Sequence, residues 1–168
     1  MTTTTVFSRD LLAGPIQFMV GYTDMFMKDI DEAKFADRLG TTINHPAFVL
    51  GHCAYYAGVC MQMLGGEIEF GEHEAALYEM GVECSDDASL YPSKDDAIAG
   101  FNQRITMVLE FLKTCDEDIF AKSSEGEWFE NYFPTYGGAA IFMLVGHICF
   151  HLGQISSWRR IAGMGLAM

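Results

Sequence analysis

Apolar residues recur at helical spacing through four long segments of this chain, and no segment shows the sustained apolar-polar alternation of a strand. That pattern predicts an all-α fold, with the four stripes facing inward as a four-helix bundle. The first segment covers about residues 8–30, where Leu11, Leu12, Ile16, Met19, Val20 and Phe26 approximate one stripe and Ser8 is placed to cap it. The second begins after Asn44 and His45, with Pro46 in the first turn, where a missing N–H costs nothing, and stops at Gly65 and Gly66. The third covers about residues 93–121: Pro92 precedes it, Ser93 caps it, and Ile98, Phe101, Ile105, Val108, Leu109 and Leu112 repeat at helical intervals. The fourth runs from about residue 135 to 163, with Arg159 and Arg160 in the last turns, where cations complement the helix dipole. A connection over residues 67–91 separates the second and third segments and carries a short helical turn around residues 74–80; loops of that length tend to serve a function.

The chain has 168 residues, half of them apolar, enough for one core without disulfides or metal staples, so a single domain over residues 1–168 is expected. Cys53, Cys60, Cys84, Cys115 and Cys149 are odd in number and lack CxxC spacing, which argues for reduced thiols rather than disulfides or a thiolate zinc site. A net charge of −13 disfavours nucleic acid as a partner and slows the approach of an anionic substrate. The start, MTTTTVFSRD, lacks a basic n-region and an apolar h-region, and the longest apolar run, residues 137–150, is interrupted by His147 and is short for a bilayer. A soluble cytoplasmic protein with no membrane partner is therefore expected.

The stretch GHICFHLGQI, residues 146–155, places His147 and His151 four apart. On a helix they are separated by about 6 Å of rise and about 40° of rotation, so both rings can address one point. Two imidazoles are too few for a tight metal site, and His52 is the only other histidine in the middle of an apolar helix. Three imidazoles would form a facial set with an open position, the pattern of catalytic zinc, which also suits nickel or iron. Spacing alone leaves open that these are hydrogen-bonded core histidines. His45, beside Pro46, reads as a capping or surface residue, and His73, in GEHEAA, as solvated.

Gln154 lies near the same stripe, where its amide would hold a ligand ring or a metal-bound water, or else be satisfied by backbone. GHCAYYAG, residues 51–58, faintly echoes GHICFHLG, residues 146–153, with each histidine behind a glycine that would let helices approach and Tyr56 standing where His151 stands. One turn beyond His52, Tyr56 is the candidate catalytic hydroxyl, with core packing as the alternative. Cys53 and Cys149 are rotated off the histidine stripes and read as small core residues. EWFENYFPTY, residues 127–136, suits a substrate lip, a dimer contact or a hydrophobic staple.

NHPAFVLGHCAYY and GHICFHLGQISSWRR, joined through SLYPSKDDAIAGF, resemble the DinB-like (DinB/YfiT) superfamily over about residues 44–163. The resemblance implies a four-helix bundle, often a homodimer, that holds a divalent metal through one histidine of the second helix and two of the fourth, here His52, His147 and His151. Similar proteins include enzymes that transfer low-molecular-weight thiols and thiol-dependent isomerases. The expected function is thus a metal-dependent transferase, with zinc, nickel or iron, acting with a small thiol on a small electrophilic molecule. The alternatives are a metal-dependent hydrolase that uses water, and a non-catalytic bundle that binds a small molecule in a Phe- and Met-rich cavity.

Overall fold

The computed structural model describes residues 8–165, so the stretch of residues 1–7 that bore on localisation lies outside the described residues. The chain forms α1 (Asp10–Met27), α2 (Glu32–Phe35), α3 (Pro46–Met63), α4 (Glu74–Tyr78), α5 (Lys94–Thr114), α6 (Glu127–Tyr132), α7 (Tyr136–Ile141) and α8 (His147–Ile161). One π-helical turn, Phe142–Gly146, joins α7 to α8. Among the described residues there is no strand, only an isolated bridge between Ser123 and Thr135. The fold is all-α.

Two helix starts, at His45 and Ser93, follow the capping chemistry read from the sequence, whereas α1 has Arg9 at its N-cap without a side-chain cap bond, and Ser8 Oγ accepts only from the Asp10 N–H at 3.3 Å. The His45 ring accepts from the Phe48 N–H above Pro46, Ser93 accepts from Asp96, and Thr135 accepts from Gly138. Two segments are shorter than their apolar patterns. The first helix starts at Asp10, and its buried stripe is Leu12, Ile16, Met19, Thr23 and Met27; Leu11, one residue out of phase, is 65% exposed. The third ends at Thr114, because Cys115 turns extended and the Asp116 side chain accepts from the Asp118 N–H to open a separate 3-10 turn, Glu117–Ala121.

α3 is apolar nearly all round and occupies the middle of the molecule, against α4, α5, α7 and α8. α1 covers α5, α8 and the π turn. The helical run Tyr136–Ile161 has 26 residues and contains an 18-residue window of mean hydropathy 1.5, long and apolar enough by length and composition to cross a membrane, in contrast to the shorter run read from the sequence. In this fold it supplies Ala140, Leu144, Ile148, Ile155 and Trp158 to the core. Arg159 is not simply a cation at the helix end: it is 2% exposed, and its Nη1 donates to the Phe26 carbonyl at 2.7 Å, fastening α8 to α1.

Candidate metal centre

α3 carries His52 to the first two turns of α8, where His147 and His151 lie. The π turn sets this meeting, since the His147 N–H bonds to the Phe142 carbonyl five residues back and the extra residue re-aims everything after it. His52 Nε2 and His151 Nε2 each lie 3.1 Å from His147 Nε2. The three donor atoms fall within 4.8 Å of one another, and the cluster could hold a metal ion. Ligand atoms around a tetrahedral zinc with bonds of about 2.0–2.1 Å are roughly 3.3 Å apart, close to the two edges at 3.1 Å.

The protons decide what this cluster is suited to. His52 Nδ1 faces the Tyr78 carbonyl at 2.7 Å, and His151 Nδ1 faces Gln154 Oε1 at 3.2 Å. Asn44 Nδ2 donates to the same Gln154 oxygen at 3.1 Å, which fixes that atom as the acceptor. Oxygens of this kind only accept, so both imidazoles carry their proton on Nδ1 and turn a lone pair on Nε2 toward His147. His147 has one proton to place: on Nε2 it serves only one of two lone pairs, and on Nδ1 it is stranded, because buried Nδ1 has no partner among the described residues. A further proton is unfavourable. Burial, and then the charges of His151 and His52, push His147 down to about 3; burial, and then His52, push His151 down to about 4; burial lowers His52 as well. Three neutral rings with convergent lone pairs and no proton arrangement that satisfies them fit a cation at their focus.

Aromatic rings wall the cluster. Phe48 stacks on His52 at 5.7 Å, Tyr56 lies 4.8 Å from His52 and 5.2 Å from His147, and Phe142 lies 6.0 Å from His147. Phe150, 67% exposed, meets His151 edge-on at 5.3 Å. The Tyr56 hydroxyl accepts from the Met80 N–H at 2.8 Å, and burial raises its pKa, so its proton stays in place. Phe133, from the aromatic stretch before α7, stacks on Phe142 at 4.9 Å and brings that stretch to the rim. The side chains of residues 127–129 lie outside the described residues.

Other readings from the sequence are refined. His45 is a cap, but it is fully buried rather than at the surface: Nδ1 accepts from Phe48, and Nε2 donates to the Ser85 carbonyl. His73 is exposed and stands apart from the cluster. Cys53 is a core thiol that burial keeps protonated. Cys149 is not a core residue: two positions after His147, about 200° round the helix, it points outward and is exposed. The glycine before His52 makes room for a side chain rather than a helix, since a Cβ on Gly51 would lie 2.1 Å from the Tyr78 ring. Sequence reasoning missed Asn44 and the Tyr78 carbonyl, the two groups that complete the orientation of Gln154 and His52.

Two outcomes follow from this geometry. Gln154→Ala removes the acceptor of the His151 Nδ1–H but no ligand atom, so metal affinity should fall by about 10- to 100-fold, measured in competition with a chelator. Unchanged affinity would mean that the amide does not orient the ring. Metal-free protein should lose stability as pH falls from about 6.5 toward 4. A histidine lowered in the folded state binds its proton more readily when unfolded, so its contribution is fully present above the unfolded value and is lost below it. Urea midpoints across this range should show a smaller decline in His147→Ala; an equal decline would place the acid sensitivity elsewhere.

A family model described as the DinB superfamily matches residues 19–155, a span that contains the three histidines, Asn44, Tyr78 and Gln154. No curated protein matches the chain.

Proposed function

The chain belongs to the DinB superfamily, and from that premise we propose that it is a metal-dependent transferase that joins a low-molecular-weight thiol to a small electrophilic molecule, acting in the cytoplasm as a homodimer. A divalent ion, zinc, nickel or iron, held by His52, His147 and His151 would keep a coordination position free and lower the pKa of a thiol or water brought there. The observation that carries the metal-dependent reading is the cluster of His52, His147 and His151, whose three imidazoles leave a position open for the nucleophile. At the same ion a thiol, with an intrinsic pKa of about 8.5, ionises more readily than water, with one of about 15.7. Tyr56 keeps its proton and so is a donor rather than a base. With Met80 bonded to its lone pair, its O–H is available to the electrophile or its leaving group.

The protein's own groups then have separable tasks. The Tyr78 carbonyl and Gln154 hold two rings with their lone pairs inward, while Phe142, Phe150 and Tyr56 offer apolar surface to the acceptor. The sulfur forms a bond to the electrophilic carbon as the leaving group departs with its bonding electrons, and the thiol proton passes to solvent. Zinc- or nickel-loaded protein assayed with glutathione, cysteine or coenzyme A and monobromobimane should conjugate faster than both His147→Ala and protein treated with chelator. Hydrolysis of p-nitrophenyl acetate without thiol, and no conjugation with any thiol, would replace this reading with a hydrolase. Sedimentation of the loaded protein as a monomer would remove the homodimer.

A further inference from the structure

The most apolar helical stretches of this chain are only partly covered. Of the apolar window in the run Tyr136–Ile161, 44% is buried, and no Asp, Glu, Lys or Arg occurs over residues 136–158 or over residues 11–23. The side chains left outside are large: Ile141, Phe142 and Phe150 from the one stretch, Leu11, Phe18 and Tyr22 from the other. On α1 the exposed Leu11, Pro15, Phe18 and Tyr22 fall on a single helical stripe, and the rings of Phe18 and Tyr22 touch, with centroids 4.7 Å apart. On α8 the exposed Phe150 stands between Gly146 and Gly153, about one turn to either side, both exposed as well. The two stripes adjoin, because Met19 Sδ at the margin of the first lies 3.1 Å from Cys149 Sγ at the margin of the second.

The area of this face calls for a partner. Its four aromatic rings, 38% to 67% exposed on side chains of roughly 200 Å2 each, contribute about 400 Å2, already within the range of about 300–600 Å2 for the largest apolar patch on a monomer. With Leu11, Pro15, Ile141 and Cys149 added, the face approaches the roughly 800 Å2 per partner of a standard interface. The charge of the chain selects the partner. At a net charge of −13, two copies repel each other wherever acidic surfaces meet, and an uncharged face is where they can approach without that repulsion. A bilayer is less suited, since helices that lie on membranes flank their apolar side with Lys and Arg, and α1 contains neither.

We propose that the face formed by α1 and α8 binds a second copy of this chain, with the histidine cluster at the edge of the contact. This rests on the homodimer of the proposed function and assigns its interface. In an isologous contact the same patch meets itself, so each Phe150 can enter the hollow at Gly153 across the contact, where nothing lies within 4 Å of the position a Cβ would take. Phe150 also meets His151 edge-on at 5.3 Å, so the pairing would back one wall of the cluster.

Sedimentation equilibrium, together with alkylation of Cys149 by N-ethylmaleimide, tests the assignment. Cys149 lies on the face and is exposed, whereas the other four cysteines are buried. Wild type should sediment as a dimer in which Cys149 reacts slowly. Phe18→Glu combined with Tyr22→Glu, on side chains that are already exposed, should weaken the dimer about 100-fold or more and speed alkylation about tenfold or more, with helical content unchanged. Met107→Glu, at an exposed apolar position on α5, should do neither. A monomeric wild type would overturn this proposal together with the homodimer. A dimer that survives the double change, or whose Cys149 reacts as fast as in the double variant, keeps the homodimer and overturns this face. Dissociation by Met107→Glu would also overturn it, since added charge alone would then be the cause. Flotation of monomeric wild type with phosphatidylcholine vesicles, lost in the double variant, would make a bilayer the occupant in place of a second copy. None of these readouts involves thiol conjugation, so this interface and the transferase reading fail separately.

Discussion

His147→Ala should abolish tight divalent-metal binding and leave the helical fold in place. His147 Nε2 is the shared vertex of the cluster, 3.1 Å from each of the other two donors, so its removal leaves a two-imidazole site. Structural zinc sites with four ligands bind with about 10–16 kcal/mol, and loss of one of only three ligands should therefore reduce affinity by about a thousandfold or more. The cost to the metal-free fold should be far smaller. The lost ring is half-buried, and with it go a buried Nδ1 that has no partner and a crowding of lone pairs, which offset the lost packing on Tyr56 and Phe142. Metal-free wild type and variant should differ by no more than about 1–2 kcal/mol, whereas metal at a thousand times its dissociation constant should stabilise wild type alone by about 4 kcal/mol. Chelator competition and thermal melts with and without zinc measure both quantities. A variant that keeps wild-type affinity within tenfold would remove His147 from the site.

How much of this was legible follows from what each signal depends on. The His147–His151 pair could be read because four residues of α-helix fix two side chains on one face whatever surrounds them. His52 could be singled out because the helix that carries it is apolar on nearly every side, so a polar ring there needs a partner. The start of α3 was legible from Asn44, His45 and Pro46, since a cap acts through nearest neighbours alone.

The π turn had no comparable signal. Phe142 to Gly146 are ordinary helix-compatible residues, and a uniform 3.6-residue count runs through them without a break, although the chain inserts one extra residue there. The Tyr78 carbonyl was illegible for another reason: a backbone oxygen carries no residue identity, and only the path of α4 over Gly51 brings it to His52. Leu11 and Cys149 were misplaced by the same rule that placed the histidines. One residue of phase is 100° of rotation, and composition does not reveal phase when apolar residues occur on both sides of a helix.

Trp158→Ala should behave as the reverse of His147→Ala, with a large loss of stability and little change at the metal cluster. Trp158 is completely buried on α8, and its Nε1 donates to the Asp37 carbonyl at 2.7 Å, which ties α8 to the segment after α2. Two losses follow from truncation, and their sizes differ. Asp37 is exposed, so its carbonyl can turn to water, and the hydrogen bond contributes only about 1 kcal/mol. The vacated indole volume is a core cavity, and truncations of that size cost about 3–5 kcal/mol. The cavity term therefore dominates, and Trp158→Phe, which keeps a ring in place, should lose much less than Trp158→Ala. His151 sits two turns earlier on α8, and its orientation rests on Gln154 and Asn44 rather than on the indole. Below its own unfolding transition, Trp158→Ala should hold metal within about threefold of wild type, since sites without shared partners act nearly independently. Urea midpoints and chelator competition on the same samples decide the matter. If folded Trp158→Ala loses metal as completely as His147→Ala does, then the core around Trp158 is part of the site, and the cluster depends on packing far from its ligands.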